Sequence, residues 1–321
     1  MKSPRKLAVA ALMASLATAA LAVPGAASVQ AAGQSQPVAA DRTTVDQLCA
    51  DGSPAARVRP GSPRRHDPNE VSKARRDQAD QRLRAALAKR RLVPLDDTVT
   101  IPVYAHVIHD GKKGKLLTAT VQRQVQVLND AYSGKVGGVA TPFRFELKQV
   151  KQVLNAKWFE AGYGMVGDEM KSALHAGDGK ALNLYFSKLG DDGLLGYATF
   201  PDEYASAPKL DGVVVNYRAR FGTPDSNFAD FAEGDTITHE VGHWLGLYHT
   251  FQSGCDTGDL VEDTPAQARP TSGCPTDLDT CPAEGLDPVH NYMDYSSDPC
   301  MNEFTVGQVT RMKEQWQAFR A

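Results

Sequence analysis

The sequence predicts an α+β protein built in two parts. The upper part is a twisted five-stranded mixed sheet with a backing helix and a second helix that carries the functional motif. The lower part is irregular, disulfide-bonded and closed by a C-terminal helix. Three observations lead there. Five short runs rich in β-branched and aromatic residues fall between Val99 and Tyr217, with helix-period stretches among them. A stretch rich in Cys, Asp, Pro and Gly runs from Gln252 to Pro299, too long to sit in a compact domain without being cross-linked or functional. Finally, Thr305-Val306-Gly307-Gln308 has the capping-box pattern that starts a helix.

Residues 1–31 lie outside that fold. Lys2, Arg5 and Lys6 precede an Ala/Leu-rich apolar run from Leu7 to Val23, and Val29-Gln30-Ala31 offers a cleavage site. This is the pattern of a secretory signal peptide, too short and Ala-rich for a membrane anchor. A secreted, extracellular protein is expected, with no membrane contact after signal removal. Residues 32–95 read as a pro-segment. They contain almost no aromatic residues, and a helix from Asn69 to Arg91 shows an apolar face too thin for a core of its own. Basic clusters at Arg64-Arg65, Arg75-Arg76 and Lys89-Arg90-Arg91 are candidate processing sites.

The folded body is expected over residues 96–321. Strands are expected over Val99 to Ile108, Phe143 to Val150, Ala181 to Leu189, Leu194 to Phe200 and Gly212 to Tyr217. Thr120 is expected to cap a helix through Tyr132, with Val121, Val125, Leu128 and Tyr132 at helical spacing. A second helix runs from Asp235 to about Leu247, and the last buries Val309, Met312, Trp316 and Phe319.

Charge is divided along the chain. Residues 51–95 hold 12 Lys/Arg against 5 Asp/Glu, whereas residues 96–321 hold 19 against 31. An acidic body argues against nucleic acid as a partner and for cationic ligands or for docking of the basic arm. Of five cysteines, Cys255, Cys274, Cys281 and Cys300 cluster near the C-terminus, and Cys49 stands alone. In an oxidising compartment the four suggest two disulfides, in any of three pairings, and leave one thiol with a separate task.

One segment dominates the chemistry: His239-Glu240-Val241-Gly242-His243-Trp244-Leu245-Gly246-Leu247-Tyr248-His249. On a helix, His239 and His243 are one turn apart and share a face, so both imidazoles can reach one zinc ion. Gly246 lets the chain leave the helix with positive φ and bring His249 back as a third ligand. Three nitrogens with an open fourth position describe a catalytic rather than a structural zinc site. Glu240, rotated off that face, is placed to hold a water at the metal. The eleven-residue form is specific where the short HExxH alone is weak. Downstream, Asn291-Tyr292-Met293-Asp294-Tyr295 supplies a methionine turn, with Met293 as a floor under the imidazoles and Tyr295 as an oxyanion donor.

From these residues the chain resembles the metzincin (zincin-like) metalloproteases of the pappalysin family. The likeness continues through Gly258 to Pro265, Gly273-Cys274-Pro275, Asp279 to Pro282 and Phe304 to Gln308. It implies a zinc endopeptidase acting on protein or peptide substrates laid along the Leu194 to Phe200 edge. It also implies disulfides Cys255–Cys281 and Cys274–Cys300, and structural calcium with Asp259 and Asp263 as ligands. In a latent zymogen the Cys49 thiolate would close the zinc position. A monomer is expected. The alternative is a catalytically silent, secreted zinc-binding recognition protein on the same fold; intact Glu240 and Tyr295 disfavour it.

Overall fold

The five strands join one mixed sheet. Strands β1 (Val99–His109), β2 (Phe143–Leu154), β3 (Leu182–Ser187), β4 (Gly196–Ala198) and β5 (Val213–Asn216) lie in the order β2-β1-β3-β5-β4. All neighbours are parallel except β4, which runs antiparallel to β5 and forms one edge. The computed structural model describes residues 67–69, 71–89, 98–191, 193–256 and 258–321. The signal peptide, Cys49, and the Arg64-Arg65 and Arg90-Arg91 pairs lie outside the described residues. All described residues belong to one compact unit.

β3 and β5 are buried at every residue because both sheet faces are covered. Leu184, Phe186, Val213 and Val215 join the core on one face, and Tyr185 and Val214 the core on the other. Hence these strands read as continuous apolar runs rather than alternations. Helix α2 (Thr118–Tyr132) buries Val121, Val125, Leu128 and Tyr132 in the first core. It begins ahead of the expected cap: Thr120 is inside the helix, and the N-cap, Leu117, makes no side-chain cap bond. The opposite face is covered by α3 (Ala156–Glu160) and α4 (Gly164–Leu174), neither foreseen, through Phe159, Met170 and Leu174.

Helix α5 (Asp235–Trp244) is buried along its whole length. Helix α6 (Val306–Phe319) opens with the expected box, Thr305 accepting from the Gln308 amide and Gln308 answering from its side chain. Its buried stripe holds Val309, Met312 and Trp316, whereas Phe319 is only half-buried. Between α5 and α6 the chain is held by the Cys255–Cys281 and Cys274–Cys300 disulfides. From the N-terminal segment, α1 (Lys73–Lys89) packs against α6 and the short turn Pro201–Glu203, burying Arg76, Ala79 and Leu83.

Candidate active site

The site is assembled on α5 and the turn that follows it. His239 and His243 share one face of the helix, which stops at Trp244; Gly246 then takes φ of +95° and returns the chain toward the same face. His249 follows, and all three imidazoles are buried. His243 Nε2 lies 3.1 Å from His239 Nε2 and 2.9 Å from His249 Nε2. The ring protons are fixed by what surrounds them. His239 Nδ1 is 2.6 Å from the Tyr292 carbonyl, and His243 Nδ1 is 2.8 Å from the Leu247 carbonyl. A carbonyl only accepts, so each Nδ1 carries its proton. Burial holds the His243 pKa down to about 4, so its ring is neutral and its Nε2 presents a lone pair. Facing lone pairs repel unless a cation sits between them. Tetrahedral zinc with nitrogens at about 2.0–2.1 Å would set them about 3.3 Å apart, close to what is found. The donor set therefore fits zinc.

The methionine turn does two jobs. Met293 packs under the rings against Gly242, where any side chain would run into the thioether. One residue earlier, the Tyr292 carbonyl orients His239 as outer-shell support. The turn is itself pinned. Asp294 Oδ1 accepts from the amides of Thr271 (3.0 Å) and Tyr295 (2.7 Å), and Asn291 exchanges two 2.9 Å side-chain hydrogen bonds with Gln308. Glu240 is buried beside the edge strand, so close that a Cβ on Gly196 would stand 2.7 Å from its Oε1. The Tyr295 hydroxyl lies 3.2 Å from His249 Nε2.

The N-terminal segment enters this site, and through a residue the sequence did not single out. Tyr295 donates its hydroxyl to Asp67 Oδ2, which lies 3.5 Å from His249 Nε2. Burial pushes the Asp67 carboxyl up to about 6, against the pull of the Tyr295 hydroxyl and the Asn69 amide. Asn69 mimics a strand residue: its side-chain amide donates to the Ala198 carbonyl (2.7 Å) and accepts from the Ala198 amide (2.9 Å). Two adjacent arginines then grip opposite sides. Arg75 reaches Asp202 on the sheet side, and buried Arg76 reaches the Gly258 carbonyl (2.6 Å) and Ser253 on the loop side.

The two calcium candidates are not equivalent. Asp259 is buried beside the Thr264 side chain, whose hydrogen bond favours the charged carboxylate against burial. Burial pushes the Asp259 carboxyl up to about 7. Asp263 instead braces the start of α6, accepting from Thr305 Oγ1 (2.7 Å) and the Gly307 amide (2.8 Å). His290 neighbours Cys274 and Cys300, but both thiols are consumed in a disulfide.

A mixed sheet over a helix and turn that bring three histidines together, with a methionine turn below, defines a metzincin-type metallopeptidase. Residues 168–317 match the peptidase M43 family, described as pregnancy-associated plasma protein-A. An extracellular metalloprotease of Arthroderma benhamiae is 45% identical over 229 residues, covering 70% of this chain and 74% of that protein. Another from Pyricularia oryzae is 43% identical over 242 residues, covering 74% and 81%. Among solved structures, a mutant of Tannerella forsythia promirolysin aligns with TM-score 0.64 and 30% identity, covering 77% of this chain and 89% of that one. Mature mirolysin with a cleaved peptide aligns with TM-score 0.59 and 31% identity, covering 70% and 96%. The chain belongs to the M43, or pappalysin, family and is a metalloendopeptidase.

Proposed function

We propose that the protein is exported as a latent precursor and, once its N-terminal segment is removed, hydrolyses peptide bonds with His239, His243 and His249 holding zinc. The observation that carries this reading is the convergence of three imidazole nitrogens within 2.9 and 3.1 Å beside a buried glutamate. Zinc bound there would act as a Lewis acid toward the scissile carbonyl and lower the pKa of a water to about 7. The peptide adds as a strand along β4, using the Ala198 amide and carbonyl that Asn69 now occupies. Glu240 accepts the proton of the attacking water and delivers it to the leaving amine. Tyr295 donates its hydroxyl to the carbonyl oxygen as negative charge grows there.

Latency follows from the same contacts. Asp67 stands where the fourth ligand would come, takes the Tyr295 hydroxyl, and is held by Asn69 on the substrate edge. This assigns to Asp67 the blocking task expected of Cys49. The greater share of this chain aligned with promirolysin than with mature mirolysin, 77% against 70%, agrees with a segment that belongs to the precursor. Export is supported by relatives named extracellular and by the N-terminal pattern. No described helix is long and apolar enough to cross a membrane. Calcium is proposed at Asp259, whose buried carboxylate and neighbouring Thr264 hydroxyl offer the hard oxygens that such a cation takes. Asp263 supports that loop through α6 rather than as a carboxylate ligand.

The test is digestion of a peptide mixture by activated wild type and by Glu240→Ala, with zinc measured in each. Cleavage by the first alone, with equal zinc in both, is the expected result. Equal cleavage by both would remove Glu240 from the chemistry. No cleavage by zinc-loaded wild type would favour the silent recognition protein.

A further inference from the structure

Asp202 stands at the end of the substrate edge with a carboxylate nearly closed to solvent, its side chain 4% exposed. It faces two arginines of the departing segment. Arg75 grips it through both nitrogens, at 2.8 and 3.2 Å, and Arg82 adds bonds of 3.1 and 2.5 Å. Burial raises the Asp202 pKa, but the two guanidiniums overcome it and hold the carboxyl below its usual range. Apart from these arginines, no hydrogen bond or ion pair to the Asp202 carboxylate is found among the described residues.

The position of Asp202 connects this cation site to cleavage. Outward strand pairing on β4 ends at Ala198, because the Phe200 amide is already taken by Glu203 Oε2 at 3.0 Å. Phe200 itself packs on His243 and Tyr248, with ring centroids 5.6 and 5.4 Å away. The turn carrying Asp202 therefore begins beside the metal ligands, where a bound peptide passes from backbone pairing to side-chain contact. A peptide added antiparallel to β4 runs its residues N-terminal to the scissile bond past Ala198 toward this turn.

We infer that Asp202 is a basic-residue subsite of the mature enzyme, occupied in the precursor by Arg75. This rests on the endopeptidase reading above and adds a determinant of its substrates: an arginine about three to five residues before the scissile bond. Loss of α1 uncovers a carboxylate whose surroundings are already shaped to a guanidinium fork. The excess of Asp/Glu over Lys/Arg in residues 96–321, 31 against 19, favours the approach of cationic peptides to the body as a whole.

The experiment uses full-length protein activated by removal of its N-terminal segment. It is given peptide pairs that differ only in Arg or the neutral isostere citrulline at successive positions before the scissile bond. The expected result is one position at which Arg is favoured roughly tenfold in kcat/KM, carried by KM, as a charge-assisted contact would give. The preference should shrink with added salt and fall to near unity in Asp202→Asn. If that variant fails to fold or mature, the wild-type pairs and their salt dependence still decide. Equal cleavage of Arg and citrulline peptides at every position, or an undiminished ratio in Asp202→Asn, overturns the subsite alone. Failure of activated wild type to cut any peptide contradicts the endopeptidase reading and the subsite together.

Discussion

Gly196 and Glu240 sit 44 positions apart and meet where strand and helix cross, leaving no room for a Cβ between them. Gly196→Val should push the carboxylate off its position while leaving the histidines untouched. The expected outcome is a loss of about 100-fold or more in kcat/KM with unchanged zinc content. The convergence of the three imidazoles beside Glu240 was legible because the motif is local: eleven consecutive residues fix their own geometry through helix and turn. Asp67 was not, since nothing in its neighbourhood marks an aspartate that will meet Tyr295 across 228 positions. A lone cysteine offered the more obvious ligand chemistry and drew attention to Cys49. Another buried residue sets acid behaviour away from the site. His106 stacks on Tyr185 and bonds Asn183 at 3.1 Å, and burial lowers its pKa to about 4 from an ordinary 6.5. Its unfolded form binds the extra proton, so stability present above pH 6.5 is lost as pH falls toward 4, by up to about 3 kcal/mol. His106→Gln keeps a donor for Asn183, and its Tm should fall less than that of wild type between pH 7 and 4.5.

At the scale of elements, the active-site helix is capped from a distance. Asp298 Oδ2 accepts the amides of Glu233 (3.1 Å), Gly234 (2.9 Å) and Asp235 (3.2 Å), with Gly234 in the left-handed region at φ of +100°. A carboxylate on these unpaired amides also opposes the positive end of the helix. Asp298→Ala should cost about 1–3 kcal/mol, read as a lower urea midpoint with unchanged m-value. Sequence gave the helix its place but not its cap, because a cap 60-odd residues downstream leaves no local signature. The strands and α6 were readable from periodicity and from the Thr305–Gln308 box. Helices α3 and α4 were not, since one is only five residues long and the other starts at Gly164 and contains Gly167. Tertiary cover, through Phe159 and Met170 under the sheet, forms them rather than propensity.

Across the whole molecule, one buried ion pair ties the chain's end to its centre. Asp211 accepts from Arg320 (2.9 and 3.0 Å), Trp244 Nε1 (2.9 Å) and Thr199 Oγ1 (2.9 Å), joining the end of α6 to α5 and the segment that follows β4. Burial alone would raise the Asp211 pKa, but Arg320 holds it below the usual carboxylate range. The opposite charges of the two halves were visible in composition, which left open whether the basic arm lies on the acidic body. Contacts of Asp67, Asn69, Arg75 and Arg76 with that body answer the question for the described part of the arm. The most direct measurement compares unprocessed, zinc-loaded wild type with unprocessed Asp67→Ala on a fluorogenic peptide, with and without chelator. The account predicts a silent wild type, a variant that cleaves before any processing, and loss of that cleavage on chelation. An unprocessed wild type as active as the processed enzyme would contradict it, as would a variant that stays silent while its processed form cuts.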